Sequence, residues 1–496
     1  MKHLELILTL LSFVLLASNG CIEQPLKVQE RTSAVVTSST PIIYSKQIQP
    51  IFRDNCNTSG CHEASTSASR LSLESWESLF RGSKSGAVVV SGNATMSHLV
   101  QVINNDSTIG PVSFPQMPLS RNSLDREQIL LLKRWVDEGG RNDEGELPFS
   151  HPRNGKAYIT NQSADPIAVI DLESNLLMRY VKLGSQAGGT RLGAPHNVVV
   201  DDGGIFYYAT LIQSGELWKF RGADDSFVGK INLNISPGHV VVTADGSTAY
   251  VTDFKIGAST SGVVKVVDTP SMTERATILM GSQALSPHGA RLSHDGRRLY
   301  TANTSSSTVT VIQTFDNSVE AIILLDPDSP PGTANLQPFQ VAVHPNDRFI
   351  YVSCYKFANQ TGEVRVIDTA SMSVVQIIPV GTRPIQVEVS PNGGYVFACN
   401  QGSDDVSVIS TTSNAVVATI SNLPRQPHGV DFTADGREAF ISCENQTDPI
   451  PPHHPTIGLR SISFVCVIDV ASLKVIKQIE VGGYAAGVSI TPGRGN

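Results

Sequence analysis

The sequence has no basic excess. Its 37 Lys and Arg stand against 45 Asp and Glu, a net charge of −8 over 496 residues, which argues against a nucleic acid as partner. Aromatic residues are scarce, at 6%. No Gly-rich phosphate loop, nucleophile–base pair or paired-carboxylate motif stands out, so nothing singles out a nucleotide-binding or hydrolytic centre. Long hydrophobic runs are missing too: the stretch from Leu4 to Ala17 is too short for a comfortable membrane span. What abounds is Gly (40) and Pro (28), a balance that suits many short strands joined by turns. At this length two domains are expected.

The apolar run follows Lys2, contains Glu5, and fits a secretory signal sequence over residues 1–20. It ends in Ala17-Ser18-Asn19-Gly20-Cys21, a small residue directly before a Cys. That junction resembles the cleavage and lipidation site of bacterial lipoproteins, with Ser18 in place of the usual Leu. The resemblance implies lipidation of Cys21; simple cleavage near Gly20 and a retained anchor helix are the alternatives. Residues 21–41, rich in Ser, Thr, Val and Gln, read as a tether. The expected location is the periplasm or cell surface, with the chain anchored to the membrane by lipid.

Cys56-Asn57-Thr58-Ser59-Gly60-Cys61-His62 places two thiols and then an imidazole on one short loop. In a C-x-x-C-H motif each Cys adds across one haem vinyl group and the His becomes the proximal iron ligand. Here the spacer is four residues, small and flexible enough to span both vinyls; the competing reading is a small disulfide loop beside an incidental His. Ile48, Ile51 and Phe52 recur at helical spacing, so Tyr44 to Asn55 reads as an amphipathic helix entering the loop. Phe114-Pro115-Gln116-Met117-Pro118 is a Pro-braced loop that makes Met117 a candidate distal ligand. Asn122 or Ser123 then caps a helix to about Glu138, with Leu124, Leu131, Leu132, Trp135 and Val136 on one face and Gly139-Gly140 as its stop.

Taken together, residues 42–143 resemble a small bacterial c-type cytochrome domain, of the subgroup with "IQPIF…C…GCH" at its start and "MP" before a last helix ending in "WVDEG". The resemblance implies covalent haem c on Cys56 and Cys61 with His62 and Met117 as axial ligands. Met96 and His98 compete with Met117 but sit in no Pro-braced loop.

After about Phe149 a four-strand unit repeats seven times. Its aromatic markers are Tyr158, Tyr208, Tyr250, Tyr300, Tyr351, Phe397 and Phe440, spaced 42 to 51 residues apart, each followed by a Val/Ile strand that often ends in Asp. Seven such units describe a β-propeller over residues 150–496. Tyr158-Ile159-Thr160-Asn161 also resembles the motif of the YVTN propeller repeats. The fold class is therefore multidomain: a small all-α cytochrome c domain followed by an all-β seven-bladed propeller. The chain enters at a second strand and ends on a first, so Gly487–Thr491 should pair with Lys156–Asn161 and leave no open edge.

Strand direction sorts the histidines. His294, in an Asp-Gly turn, and His344 fall on one face and read as structural. His196, His288 and His428 follow Pro195, Pro287 and Pro427 where the innermost strand begins, and His239 is displaced by one residue. His453 and His454 sit in an insertion on that same face. Two readings stand: Pro-His turns that cap strands, or imidazoles converging on a second metal such as copper, iron or another haem. The four remaining thiols, Cys354, Cys399, Cys443 and Cys466, read as small buried hydrophobes.

The leading functional reading is an exported monohaem cytochrome that transfers electrons, its propeller docking a redox partner or holding a second redox centre. The others are a cell-envelope binding protein and a periplasmic metal-dependent reductase or dehydrogenase acting on a small-molecule substrate. If haem and propeller exchange electrons directly, the haem edge should face the surface bearing His196, His288 and His428.

Overall fold

Pro50 lacks an amide hydrogen and so suits the opening of a helix. Around it a π-helical turn, Tyr44–Ile48, passes into helix α1, Gln49–Asn55, which buries Ile48, Ile51 and Phe52. The computed structural model describes residues 40–150, 155–163, 166–183, 193–255, 261–326, 336–356, 361–447, 449 and 462–492. The signal segment, Cys21, nearly all of the tether, His453 and His454 lie outside the described residues.

Helix α2, Trp76–Phe80, is opened by a Ser75–Ser78 capping box, and α3 spans His98–Ile103. Helix α4, Arg126–Asp137, starts later than the sequence suggested. Its cap is Asp125, whose carboxylate accepts the Gln128 amide while Gln128 answers to the Asp125 backbone. That reciprocal pair outcompetes Asn122 and Ser123, and it moves Leu124 off the helix while Ile129 joins Leu132, Trp135 and Val136 in the core. Trp135 is the centre of this segment, with Tyr44 and Phe80 at 5.5 and 6.2 Å between rings.

Each Val/Ile-rich run forms a strand, and the strands assemble into seven four-stranded antiparallel sheets. We letter the strands A to D from the axis outward. Blade 1 is built from both ends of the domain: its strand A, Ala485–Ile490, pairs with strand B, Lys156–Asn161, followed by Ile167–Asp171 and Leu176–Val181. Blades 2, 3 and 4 begin with Pro195–Val200, Pro237–Val242 and Pro287–Leu292, and blades 5, 6 and 7 with Leu336–Val343, Pro384–Val389 and Pro427–Phe432. The seven marker aromatics are all buried between blades. Several use their hydroxyls on the following blade: Tyr158 donates to Asp225, Tyr250 to Asn317 and Tyr351 to Asn414.

The helical segment and the propeller belong to one compact unit, Ile43–Asn496. Ala87 and Val90 pack into the core shared by blades 1 and 7, the Ser91 amide donates to Met178 O at 3.2 Å, and Phe80 meets Phe149 edge-on at 6.0 Å. Met178 lies on the outermost strand of blade 1.

Candidate functional site

Two groups of side chains carry chemistry. The first is the Cys56–His62 loop. Helix α1 ends on it, with the Cys56 and Asn57 amides both donating to Phe52 O, and the Cys61 amide turns back onto Thr58 O. The His62 amide then donates to Cys56 O at 3.2 Å. This bond closes the ring and brings the imidazole residue beside the first thiol despite the four-residue spacer. Gly60 supports the closure at φ +84°, which L side chains resist, and it faces open space. The Asn57 side chain pins the loop by donating to Leu73 O at 2.8 Å. Both thiols are free, and burial pushes the Cys56 thiol up to about 11, with the nearby Cys61 adding to the rise and Arg121 opposing it.

His62 Nδ1 lies 3.2 Å from Leu71 O. Since a carbonyl only accepts, Nδ1 carries the proton and Nε2 keeps its lone pair, the tautomer of a His that ligates iron through Nε2. Two buried polar atoms of the loop, Asn57 Oδ1 and Thr58 Oγ1, have no partner. The Met117 amide donates to Val102 O at 2.8 Å, fixing its loop against α3, and Met117 itself is half-buried. Around it the large apolar side chains Phe114 and Leu119 are 74% and 61% exposed, and Met96 is exposed as well. Two free thiols, an Nε2-presenting imidazole and an apolar rim fit a covalently held haem. Cys56, Cys61 and His62 share the closed loop, and Arg121, from the Met117 loop, lies near enough to act on the Cys56 thiol.

The second group lies on the propeller axis. Every strand A carries a β-bulge in which the register slips by one residue against strand B, directly after the first paired residue in six blades and after Pro338, the third, in blade 5. A bulge re-aims side chains that strict alternation would send between blades. His196, His288 and His428 all fall in it; His239 does too, because Gly238 and His239 together oppose Thr252. The one-residue displacement seen in the sequence is thereby absorbed. The bulges are held from the preceding blade by the third residue of the YVTN-like repeat. Thr160 donates to His196 O, Thr210 to Gly238 O, Thr252 to His288 O and Ser442 to Ala486 O, at 2.5 to 3.0 Å. The signal in the sequence is a Thr or Ser two residues after five of the seven marker aromatics, Ala302 and Cys399 being the exceptions.

His196, His239 and His288 converge, with ring centroids 4.8 to 5.9 Å apart. His196 Nε2 and His288 Nε2 are 2.9 Å apart. His428 stands 6.2 Å from His196, its Nδ1 2.6 Å from Glu444 Oε1, which also accepts from the Gln401 amide. Burial, and then the neighbouring imidazoles, hold His196 and His239 well below the usual His value, and burial brings His288 down to about 4. On the opposite side, His294 pairs with Asp347 and His344 with Gly393 O, as structural residues would. Cys354, Cys399, Cys443 and Cys466 are free and buried.

Further along the axis Arg291 pairs with Glu388, and burial, followed by the Glu388 charge, pushes the Asp431 carboxyl up to about 7. A raised carboxyl stabilises the fold below its unfolded value, about 3.9, and that contribution is lost as pH rises through about 7. The expected result is that Asp431→Asn gains stability over the wild type between about pH 5 and pH 8, read as a widening gap in denaturant midpoints. A constant gap would contradict the assignment.

The two groups do not adjoin. Beyond the Ala87, Val90 and Ser91 contacts with blade 1, the cleft beside the Cys–His loop, lined by Ala64, Ser67, Arg70 and Lys84, is also lined by Lys477 on the outermost strand of blade 7. Strand D is three steps of about 4.8 Å, roughly 14 Å, from strand A. The helical segment therefore packs on the outer rim, and not on the face where His196, His288 and His428 begin their strands.

Comparison with known proteins agrees with this architecture. A family model described as a lactonase, 7-bladed beta-propeller, matches residues 236–431, and one described as Planctomycete cytochrome C matches residues 59–111. The second takes in Cys61 and His62 and stops short of Met117. The chain thus carries a cytochrome c-like domain ahead of a seven-bladed propeller. Among curated proteins it is similar to the uncharacterized protein YwhL of Bacillus subtilis (strain 168), 28% identical over 104 residues. The match covers 21% of each, so the chain spans about a fifth of that protein's length. Among solved structures it is similar to a functionally unknown protein from Desulfotomaculum acetoxidans DSM 771, at 14% identity and a TM-score of 0.51, over 68% of this chain and 99% of that one. It is also similar to Kuenenia stuttgartiensis hydrazine synthase, at 16% identity and a TM-score of 0.49, over 60% of this chain and 90% of that one.

Proposed function

We propose that this protein is an exported monohaem c-type cytochrome that passes single electrons, lipid-anchored through Cys21 at the cell envelope. The observation that carries this reading is the closed Cys56–His62 loop, in which the Leu71 carbonyl fixes the tautomer that leaves His62 Nε2 to the iron. Cys56 and Cys61 would hold the macrocycle by thioether bonds, His62 would supply a nitrogen ligand to the iron, and Met117 would supply a thioether ligand. When bound, the haem stores one electron. The exposed Phe114 and Leu119 beside the Met117 loop offer an apolar rim for a redox partner to cover, the kind of small, transient contact that electron carriers use. The propeller, joined to the helical segment through its outer strands, serves in this reading as the docking module, its axial mouth turned to a different ligand.

A thioether ligand favours ferrous iron, so it raises the reduction potential of a c-type haem. Met117→Ala should therefore lower the midpoint potential and remove the thioether charge-transfer band of the ferric spectrum. Met96→Ala should change neither. A Met117→Ala protein with the wild-type potential and spectrum would assign the distal position elsewhere.

A further inference from the structure

We propose that His196, His239 and His288 bind a single late first-row transition-metal ion on the propeller axis, independently of the haem loop. Each of the three residues offers one ring nitrogen, and the three atoms lie within 4.8 Å of one another. All three side chains are buried, and they come from strand A of three consecutive blades, 2, 3 and 4.

The chemistry of the donors fits a metal. A metal needs the lone pair of an imidazole nitrogen, and each of the three buried rings offers one such atom to the same point. His239 Nδ1 is buried with no hydrogen-bond partner, a polar atom that a strand-capping role would have satisfied. Three neutral nitrogens without a thiolate or carboxylate among them suit copper or zinc, and not magnesium or calcium. Ligands at about 2.1 Å from a tetrahedral ion lie roughly 3.4 Å apart, so the widest pair must draw in by about 1.4 Å while His196 Nε2 and His288 Nε2 move apart by about 0.5 Å, a rotation of side chains on bulged backbone.

The outer contacts are also those of a metal site. His288 Nδ1 donates to Phe339 O at 2.9 Å, which leaves its Nε2 lone pair facing His196. Gln162 Nε2 lies 2.7 Å from His196 Nδ1. With the amide in that orientation, His196 carries its proton on Nε2 and donates it to His288 Nε2, so a single proton sits between the two nitrogens. The ion takes that proton's place. The Gln162 amide turns over, its Oε1 accepts from His196 Nδ1–H, and the proton has moved from Nε2 to Nδ1 of the same ring. No proton leaves the protein and no electron is transferred. Gln162 is thus a positioning residue for the site. His428, held by Glu444 at 2.6 Å, stands beside the trio, its ring 6.2 Å from that of His196.

The test uses the full chain, stripped with a chelator and titrated separately with Co2+, Cu2+ and Zn2+. The expected result is about one equivalent per chain beyond the haem iron, with the visible bands of nitrogen-bound Co2+ and nitrogen couplings in the Cu2+ resonance spectrum. Gln162→Leu should weaken binding about 10- to 100-fold, and His239→Ala by more. The double Cys56→Ala/Cys61→Ala protein should bind as the wild type does, which separates this site from the haem reading. Binding below about a tenth of an equivalent would overturn the proposal. So would undiminished affinity in a His239→Ala protein whose circular dichroism is unchanged. Should His239→Ala fail to fold, His239→Gln, closer in volume, carries the same test.

Discussion

Changing Cys56 and Cys61 together to Ala removes all haem staining from the polypeptide on a denaturing gel. Thioether bonds survive denaturation, whereas iron coordination by His62 does not, so only the thiols decide whether haem migrates with the chain. Either single change leaves one bond and weaker staining. His62→Ala, in contrast, keeps the stain and loses the low-spin spectrum, because the ring that the Leu71 carbonyl orients is no longer there to meet the iron. Loss is expected to be complete in the double variant because Cys354, Cys399, Cys443 and Cys466 all lie buried in the propeller. Unchanged staining in the double variant would leave the loop as a structural turn.

Ending the chain at Gly483 abolishes the cooperative thermal transition of the propeller. The lost segment is strand A of blade 1, which pairs with Lys156–Asn161 and packs between the inner strands of blades 7 and 2. Its removal uncovers a fully buried strand edge and withdraws the Ala486 carbonyl that Ser442 holds. Native stability is only about 5–15 kcal/mol, and losing the strand that closes a ring exceeds what remains. Gly429→Ala is the graded version. A Cβ there would sit 2.3 Å from Ala486 O, so blades 7 and 1 must separate, at a cost of about 1–3 kcal/mol in denaturant unfolding. A truncated protein that melts with the wild-type midpoint would mean that the ring does not depend on its closure.

Much of this was legible because it repeats. The marker aromatics and the Val/Ile strands return at near-constant spacing, so blade number, strand order and the shared first blade could be read by counting. The positions of His196, His288 and His428 followed from the same register. What could not be read was set by geometry between segments. The bulge that draws His239 into the group depends on how Gly238 and His239 share one partner in strand B, and spacing alone showed only a displaced residue. The start of α4 turned on Asp125 and Gln128 forming a reciprocal cap, a contest among several polar residues that propensity does not decide. The seating of the helical segment on the outer strands rests on Ala87, Val90 and Phe149, unremarkable in sequence because their significance lies in the surface opposite. Closure of the long Cys–His loop by one backbone bond was equally hidden.

The central claim is that a single haem, fixed on Cys56 and Cys61, takes up and releases one electron. The most direct measurement is a spectroelectrochemical titration of the purified full chain, following the haem bands through reduction and reoxidation. The account predicts one covalent haem per chain and a reversible transition that follows a one-electron curve in both directions. A chain isolated from an export-competent host without haem, or a haem that shows no reversible one-electron transition, would contradict it.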